Sequence, residues 1–574
     1  MPNKRVPEKS KEPRAEVPPM NSTGGNGVDM SHHHQPSNGN QRASEWVAER
    51  LEQRSLQDQI RSDASKPVRV MKFGGTSVAD GSCIEKVVEI IRAAARESRL
   101  VVVVSAMAGV TNKLLEAATC AEAGDYKAVA VIFEQLRQQH DLALRTLIHS
   151  AAERSRISCK MEECFEEGAR LCQGTSLLRE LTPRARDAVS ALGERLSAPL
   201  VAAALAERGV PSQAIEATEL VLTDACHGAA EPRMDATRER CQARLCPLLQ
   251  EGIVPVVTGF IGATEEGVLT TLGRGGSDYS ATIMGAAIGV DEVIIWTDVD
   301  GLLTADPHIV TGVCTIPEIS YREAAELAYF GAKVLHPKTV RALMQCGIPL
   351  WIRNTFAPER PGTKITPAGF QNGGGVKALT AINDVALITV GGPGIASVPH
   401  VLGRTFETTT SLRADVLLIS QSSSQNDICL VVSASVAKRT VEALRREFAP
   451  DLAHEKVEHI NLDPTVALVT VVGQNMRGTS GIVGRMFGAL GRENVNIIAM
   501  AQGSSECNIS FVVAQKDVKA ALVTSHREFD LGRAESVGPA AEKQADSVSP
   551  APEKPLSRPV SWFYGPQRPA AENV

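Results

Sequence analysis

The sequence has no long apolar run, no excess of positive charge and no paired cysteine motif. Its longest apolar stretches, such as residues 99–110, fall short of the roughly 20 residues that a membrane span needs. A formal net charge of -6 over 574 residues lacks the basic footprint of a nucleic-acid binder. The 12 cysteines form neither a C-x-x-C pair nor a Cys/His spacing for zinc. We therefore expect no membrane and no nucleic acid as partner, no metal site, and a cytoplasmic location with reduced thiols.

Both ends of the chain lack the apolar periodicity of a folded segment. Residues 1–66 mix proline, glycine, asparagine, serine and charges, and residues 533–574 are rich in proline. Such compositions bury too little apolar surface to fold, so we predict two disordered tails. The acidic residues Glu8, Glu12 and Glu16 argue against a transit peptide, which leaves a plastid as the secondary expectation for location.

Between the tails, residues 67–368 predict an α/β domain. Runs rich in β-branched residues, such as 68–73 and 253–258, alternate with helical stretches. Near-continuous apolar strands separated by helices are typical of a parallel-rich sheet covered on both faces. Residues 113–190 are instead amphipathic over long stretches, and they predict a helical insertion over one end of the sheet.

Residues 369–532 contain an internal repeat. "VALITVGG" begins at Val385 and "VALVTVVG" at Val466, an offset of 81 residues. "GRTF" at Gly403 and "GRMF" at Gly484 keep the same offset, and so do the flanking segments. An offset that holds without a gap over both units indicates a duplicated module. Each unit predicts strand, helix, strand, strand, helix, which is a small α+β domain.

The segment "TLGRGGSDYSA", residues 271–281, suits a phosphate-binding backbone, but it lacks the lysine of a G-x-x-x-x-G-K-[ST] loop. The segment "KFGGTS" places Lys72 at the end of a strand, followed by Gly74 and Gly75. Ligands of open α/β sheets bind beyond the carboxyl ends of the strands, where helices begin. Lys72 is therefore expected to supply the charge that the later loop lacks, with helix capping as the alternative for "KFGGTS".

A third segment, "WTDVDGLLTADP", places Thr297 and Asp298 directly after a buried strand. Aspartate and glycine favour turns and helix caps in any protein, so a turn is the interpretation of this segment taken alone. Together with the two preceding segments it indicates a nucleotide site.

Six motifs carry a resemblance to a known family: "KFGGTSVAD", "VSAMAGVTNKL", "LGERLSAPL", "TLGRGGSDYSA", "WTDVDGLLTADP" and "YFGAKVLHP". In this order they resemble the aspartate kinases of the amino-acid kinase family, and the duplicated module resembles their paired ACT domains. The resemblance covers about residues 67–532 and is greatest to the kinase half of bifunctional aspartate kinase–homoserine dehydrogenases. It implies an α/β amino-acid kinase fold followed by two α+β ACT domains.

The resemblance implies transfer of the ATP γ-phosphoryl group to the β-carboxylate of L-aspartate, the first step towards lysine, threonine and methionine. ATP would bring Mg²⁺, held mainly by phosphate oxygens and water, so no residue is assigned as a metal ligand. Two alternatives stay open. One is a kinase for another amino acid, and the other is a catalytically silent amino-acid sensor.

The same resemblance assigns site residues by motif. The catalytic set is Lys72, Arg274 and Asp278. The aspartate-binding set is Ser105, Thr111, Glu194, Arg274 and Ser277. The ATP-binding set is Lys72, Phe73, Gly74, Gly75, Thr297, Asp298, Leu303, His308 and Lys333. A surface position for Glu194 and a solvated helix position for Lys333 are the alternatives.

Three positions depart from the family pattern. Leu303 stands where relatives often have tyrosine, His308 where they often have arginine, and Met107 where a small residue is common. A histidine is a weaker cation than an arginine, and its charge depends on pH. We expect the changes at Leu303 and His308 to loosen nucleotide binding.

Each repeat places a glutamine at the end of a predicted strand, Gln421 in the first and Gln502 in the second. An amide can accept from an ammonium group and donate to a carboxylate, so we expect this pair to read an amino-acid effector. The resemblance favours threonine, with lysine as the alternative, and it implies a homodimer or a higher oligomer. A purely structural role is the other interpretation of the glutamines.

Overall fold

The computed structural model describes residues 66–331, 335–369, 375–392, 394–395, 398, 400–421, 427–476, 478–503 and 507–532. The predictions for the two tails, apart from residue 66, and for Lys333 lie outside the described residues. The chain divides into two compact units. Of the described residues, one unit comprises those up to Asp298 together with Lys338–Trp351, and the other comprises those between Val299 and Pro337 and those from Ile352 onward.

The first unit is built on a parallel sheet in the order β3-β4-β2-β1-β7. Its strands are β1 (Val68–Phe73), β2 (Arg99–Val104), β3 (Ser212–Ile215), β4 (Val254–Thr258) and β7 (Glu292–Thr297). Every residue of β4 is buried, and so are all residues of β2 after Arg99. Such valine-rich runs form central strands because both faces of the sheet are covered.

Helices cover this sheet. They are α1 (Gly81–Ala95), α2 (Val110–Ala123), α3 (Tyr126–Leu147), α4 (Ala151–Leu178), α5 (Pro183–Ser190), α6 (Leu192–Glu207), α7 (Met234–Gln250) and α8 (Gly276–Ile288). The helices α2 to α5 form the insertion that the amphipathic pattern predicted. Local signals set several starts: the Asp80 side chain accepts from the Cys83 N–H, and Thr182 caps α5 ahead of a proline at its first position.

Residues Pro183–Glu207 are long and apolar enough to cross a membrane by length and composition, and an 18-residue window within them has a mean hydropathy of 1.3. In the fold, 83% of that window is buried. The stretch covers α5 and α6. Val189 of α5, together with the leucines and most alanines of α6, belongs to the same core cluster as Val102, Val104 and Val256 of the sheet. The stretch is therefore a core segment of the first unit.

The remaining elements of the first unit are short. Strands β5 (Ile261–Ala263) and β6 (Leu269–Thr271) form an antiparallel ribbon between β4 and α8. The chain passes between the two units near α10 (Pro337–Met344) and within β9 (Leu350–Asn354).

The second unit contains the duplicated module. It begins with β8 (Glu318–Ser320), α9 (Tyr321–Tyr329) and β10 (Thr363–Thr366). The first repeat is β12 (Val385–Gly391), α11 (Val401–Ser411), β13 (Val416–Gln421), β14 (Asp427–Ser433) and α12 (Ala434–Glu447), followed by α13 (Ala449–Ala453). The second repeat is β16 (Val466–Gln474), α14 (Ile482–Arg492), β17 (Ile497–Gln502), β18 (Asn508–Ala514) and α15 (Val518–Glu528). The strands and the first helix of the two repeats start 81 residues apart, as the sequence predicted.

Each repeat forms an antiparallel sheet with one strand from outside itself. Strand β11 (Gly375–Ile382) precedes the first repeat but pairs with β16 of the second. Strand β15 (His459–Asp463) precedes the second repeat but pairs with β12 of the first. The two repeats therefore exchange the strand that leads into each of them, an arrangement that the repeat pattern did not predict.

Candidate functional site

Lys72 lies at the carboxyl end of β1, between the neighbouring strands β2 and β7. It is only 7% exposed, and its Nζ lies 2.5 Å from Oδ1 of Asp278 in the first turn of α8. A buried ammonium without an opposite charge would be strongly destabilising, so Asp278 both compensates Lys72 and holds it in place. The structure thus joins the first and the fourth motif, which lie about 200 residues apart.

Glycines allow the backbone to come close to this pair. A Cβ on Gly74 would lie 3.3 Å from Lys72 Nζ, and a Cβ on Gly75 would lie 3.1 Å from the Ala106 carbonyl oxygen. Gly275 caps α8 with a left-handed φ of 70° and leaves the helix without a side-chain cap. The first N–H groups of α8 therefore have no capping side chain, and they lie in the turn that carries Asp278, the partner of Lys72. A free helix start beside a lysine is the arrangement of an anion site.

Glu194, in the first turn of α6, is buried and only 3% exposed. Burial raises its pKa to about 8, although the Ala106 N–H and the Lys72 ammonium favour the charged form. Among the described residues, no group forms a hydrogen bond with its Oε2 atom. The surface position considered for Glu194 is therefore wrong. A buried carboxylate with an unsatisfied oxygen is suited to a cationic ligand group.

The other predicted aspartate-binding residues lie at the ends of strands and helices of the first unit and differ in exposure. Ser105 follows β2 directly, and its backbone accepts from the Ser197 hydroxyl at 2.8 Å. Ser277 is half-buried and lies close to Gly259. A Cβ placed on Gly259 would lie 2.7 Å from the Cβ of Ser277. Thr111 is half-buried in the first turn of α2. Arg274 is exposed in the loop before α8.

The predicted nucleotide residues are divided between the units. The Phe73 side chain is fully buried and stacks on Trp296 with a centroid distance of 6.0 Å, so only its backbone can face a ligand. Thr297 is half-buried at the end of β7 and Asp298 is exposed. Leu303, half-buried, and His308, exposed, belong to the second unit.

Asp187, which the motifs did not indicate, lies next to the loop that carries Arg274. It is buried in α5 and accepts from His227 Nδ1 at 2.9 Å, the Gly228 N–H at 3.0 Å, the Thr271 N–H at 3.1 Å and the Thr271 hydroxyl at 2.6 Å. These bonds hold the end of β6, from which residues 272–275 lead into α8. An aspartate in a polar helical stretch is expected to be exposed. No local pattern could therefore have shown that Asp187 accepts these hydrogen bonds.

In the second unit, Gln421 and Gln502 end the strands β13 and β17 and are exposed. These edge strands of the two repeat sheets lie against each other. Elsewhere, the described residues contain no group of three or more histidine, cysteine, aspartate or glutamate side chains that could hold a metal ion.

The fold and the site define an amino-acid kinase domain followed by a regulatory pair of small domains. A family model described as the amino acid kinase family matches residues 67–354, and one described as the ACT domain matches residues 388–448 and 469–529. The chain belongs to the amino acid kinase family and carries two ACT domains. The predicted fold class is thereby confirmed, whereas the predicted domain borders stay predictions.

The particular relatives are aspartokinases. Aspartokinase 1, chloroplastic, of Arabidopsis thaliana is 32% identical over 462 residues, which is 80% of each chain. The bifunctional aspartokinase/homoserine dehydrogenase 1, chloroplastic, of the same plant is 33% identical over 470 residues, 81% of this chain and 51% of the relative. The chain thus spans about half the length of the bifunctional relatives.

A solved structure of E. coli aspartokinase III in complex with aspartate and ADP has a TM-score of 0.68 and 30% sequence identity. The match covers 81% of this chain and 100% of that chain. A second structure of the E. coli enzyme, in complex with lysine and aspartate, has a TM-score of 0.66 and also 30% identity, over 80% of this chain and 99% of that chain.

Proposed function

We propose that this protein is an ATP-dependent aspartate kinase. The observation that carries the proposal is the cluster of buried Lys72 and Glu194 with the half-buried Asp278 at the carboxyl end of the sheet. It offers a cation for phosphates beside an unsatisfied carboxylate for an ammonium group. The E. coli relative holds aspartate and ADP, a ligand pair with these charges.

In the proposed reaction, an oxygen of the aspartate β-carboxylate attacks the γ-phosphorus of ATP. The bond from phosphorus to the β,γ-bridging oxygen breaks, and ADP leaves with the electron pair. Such a transfer needs in-line positioning and positive charge around the phosphoryl oxygens rather than a covalent protein nucleophile. Lys72 supplies the charge, and Asp278 keeps its ammonium at the strand end where the transferred group would pass.

Glu194 distinguishes the amino-acid substrate. Its ionised carboxylate pairs with the α-ammonium of aspartate, and Arg274 can bind a carboxylate through two nitrogens. Ser105, Thr111 and Ser277 supply hydroxyls around the same substrate. Because N-acetylglutamate has no free ammonium group, it cannot form this ion pair with Glu194, so this site disfavours it.

The nucleotide enters as MgATP, with the metal held mainly by phosphate oxygens and water. Gly74, Gly75 and the first N–H groups of α8 approach its phosphates, and Thr297 and Asp298 follow the adjacent strand. Leu303, His308 and Lys333 complete the proposed nucleotide contacts by motif.

The two ACT domains support feedback control of this activity. We place the enzyme at the first step towards lysine, threonine and methionine, as a cytoplasmic homodimer or higher oligomer. Threonine is the proposed effector at Gln421 and Gln502, with lysine as the alternative because the E. coli relative binds lysine.

The test is a coupled assay of ADP release with aspartate, glutamate and N-acetylglutamate as separate acceptors. Aspartate should be the acceptor, and Lys72→Ala or Asp278→Ala should lower turnover at least about 10²-fold, the scale of one preorganised charge at a transition state. Arg137→Ala is the matched control, because it removes an exposed ion pair to Glu162 and neither residue belongs to a site motif. Turnover with glutamate but not aspartate would refute the substrate, and no turnover with any acceptor would favour the silent sensor.

A further inference from the structure

Residues 302–316 of the second unit form a short hairpin. The Thr304 N–H donates to the Cys314 carbonyl at 3.0 Å, and the Ile316 N–H donates to the Leu302 carbonyl at 2.8 Å. Leu303 forms an isolated bridge with Thr315 between these bonds. This 302–316 hairpin carries Leu303 and His308, two of the proposed nucleotide contacts.

One side of the hairpin belongs to the core of the second repeat. Ala305 and Val310 are buried in the same cluster as Met486, Phe511 and Leu522 of that repeat. The hairpin is also joined to the sheet of the second repeat, since the Leu379 N–H of β11 donates to the Thr304 carbonyl at 2.9 Å. The position of the hairpin therefore depends on the packing of the second repeat.

A buried polar contact fixes this packing at one point. The Thr304 hydroxyl lies 3.0 Å from Nε2 of His526 in α15, and it accepts from the Cys314 N–H at 3.1 Å. Thr304 is 7% exposed and His526 is 5% exposed. Burial lowers the pKa of His526, so its ring is neutral near pH 7 and pairs with the hydroxyl as a neutral group. Buried neutral pairs are specific, because a displaced partner leaves the other unsatisfied.

The duplication shows that this contact is particular to one repeat. The offset of 81 residues makes Arg445 the counterpart of His526 in the first repeat. Arg445 donates to the Ile460 carbonyl of β15 at 2.9 Å, so it binds within the sheet of its own repeat. The equivalent position therefore makes its contact within its own repeat in α12, whereas in α15 it contacts the 302–316 hairpin.

We infer that His526 is a positioning residue for the nucleotide. Through its contact with Thr304, His526 holds the 302–316 hairpin against the second repeat. The second repeat, and not the first, then sets where Leu303 and His308 stand. The identity of the ligand rests on the proposed function. The contacts between the hairpin and the second repeat do not depend on which acceptor is phosphorylated.

The experiment compares His526→Leu, His526→Gln and Thr304→Val with the matched control Arg445→Ala in the full chain. Steady-state assays give KM for ATP, KM for aspartate and kcat. A titration gives Kd for ADP in the absence of any acceptor. Hydrogen exchange gives the protection of the Cys314 amide. His526→Leu and Thr304→Val should each raise KM for ATP and Kd for ADP about three- to tenfold, the range that one hydrogen bond is worth. Exchange of the Cys314 amide should accelerate, whereas kcat and KM for aspartate should change less than about twofold.

The double variant should be no worse than Thr304→Val alone, because that change already removes the bond to His526 as well as the acceptor of the Cys314 N–H. His526→Gln should recover part of the nucleotide affinity, since an amide can pair with the hydroxyl. Unchanged KM for ATP in both His526→Leu and Thr304→Val would overturn the inference, and so would an equal loss in Arg445→Ala. If the wild-type chain does not phosphorylate aspartate but His526→Leu still weakens ADP binding, the proposed function fails and the positioning role stands.

Discussion

Replacing Glu194 with glutamine is expected to stabilise the folded protein at alkaline pH while weakening the binding of aspartate. The carboxyl group is buried, its Oε2 atom has no hydrogen-bond partner among the described residues, and burial raises its pKa from the ordinary 4.5 to about 8. Without substrate, a negative charge on Glu194 would be buried away from water and left without a full set of hydrogen-bond donors. Glutamine keeps the shape and cannot ionise.

The magnitude follows from linkage between protonation and folding. Between pH 4.5 and about 8 the folded protein keeps the Glu194 proton and the unfolded chain releases it. Stability must therefore fall as pH rises through this window, and the fall is complete above the folded pKa. A shift of about 3.5 units at about 1.4 kcal/mol per unit corresponds to roughly 5 kcal/mol. The glutamine variant lacks this loss.

The assay is urea denaturation of wild type and Glu194→Gln without ligands, at about pH 5 and about pH 9. The variants should be similar at the acidic pH, and the glutamine variant should be more stable by several kcal/mol at the alkaline pH. In turnover assays, KM for aspartate should fall in the wild type as pH rises towards 8, and it should be high and nearly independent of pH in the variant.

Glu162→Gln is the control, because Glu162 is exposed and paired with Arg137, which lowers its pKa. It should show no stability gain at high pH. A Glu194→Gln stability difference that is the same at both pH values would refute the raised pKa and, with it, the argument for an ammonium-binding site.

Two further predictions concern control and the scaffold of the site. Gln421→Ala or Gln502→Ala should raise the inhibitory threonine concentration about 5–150-fold while uninhibited turnover stays near wild type, measured in the coupled assay. Wild-type threonine response in both variants, or inhibition by lysine alone, would contradict the effector assignment. Asp187→Ala should lower the free energy of unfolding by about 3 kcal/mol or more, because it leaves several buried donors near Thr271 without an acceptor. Urea denaturation measures this, and a change below about 1 kcal/mol would contradict the role of Asp187.

Much of the local structure was predictable because its signals lie close together in the chain. The valine-rich strands β2 and β4, the glycines after Lys72 and the 81-residue offset of the repeats are all visible within short windows. The convergence of Lys72 with the α8 start could also be predicted, since the carboxyl ends of parallel strands share one edge. The ion pair between Lys72 and Asp278 agrees with that expectation.

Other features depend on which distant segments meet. The sequence alone determined the order of elements, the duplication and the residue types at the strand ends. Only the tertiary structure decided that Glu194 is buried, that Asp187 holds the Arg274 loop and that β11 and β15 are exchanged between the repeats. It also decided that the 302–316 hairpin joins the core of the second repeat. Burial and strand pairing are properties of the surroundings of a residue, and those surroundings come from parts of the chain that no local pattern specifies.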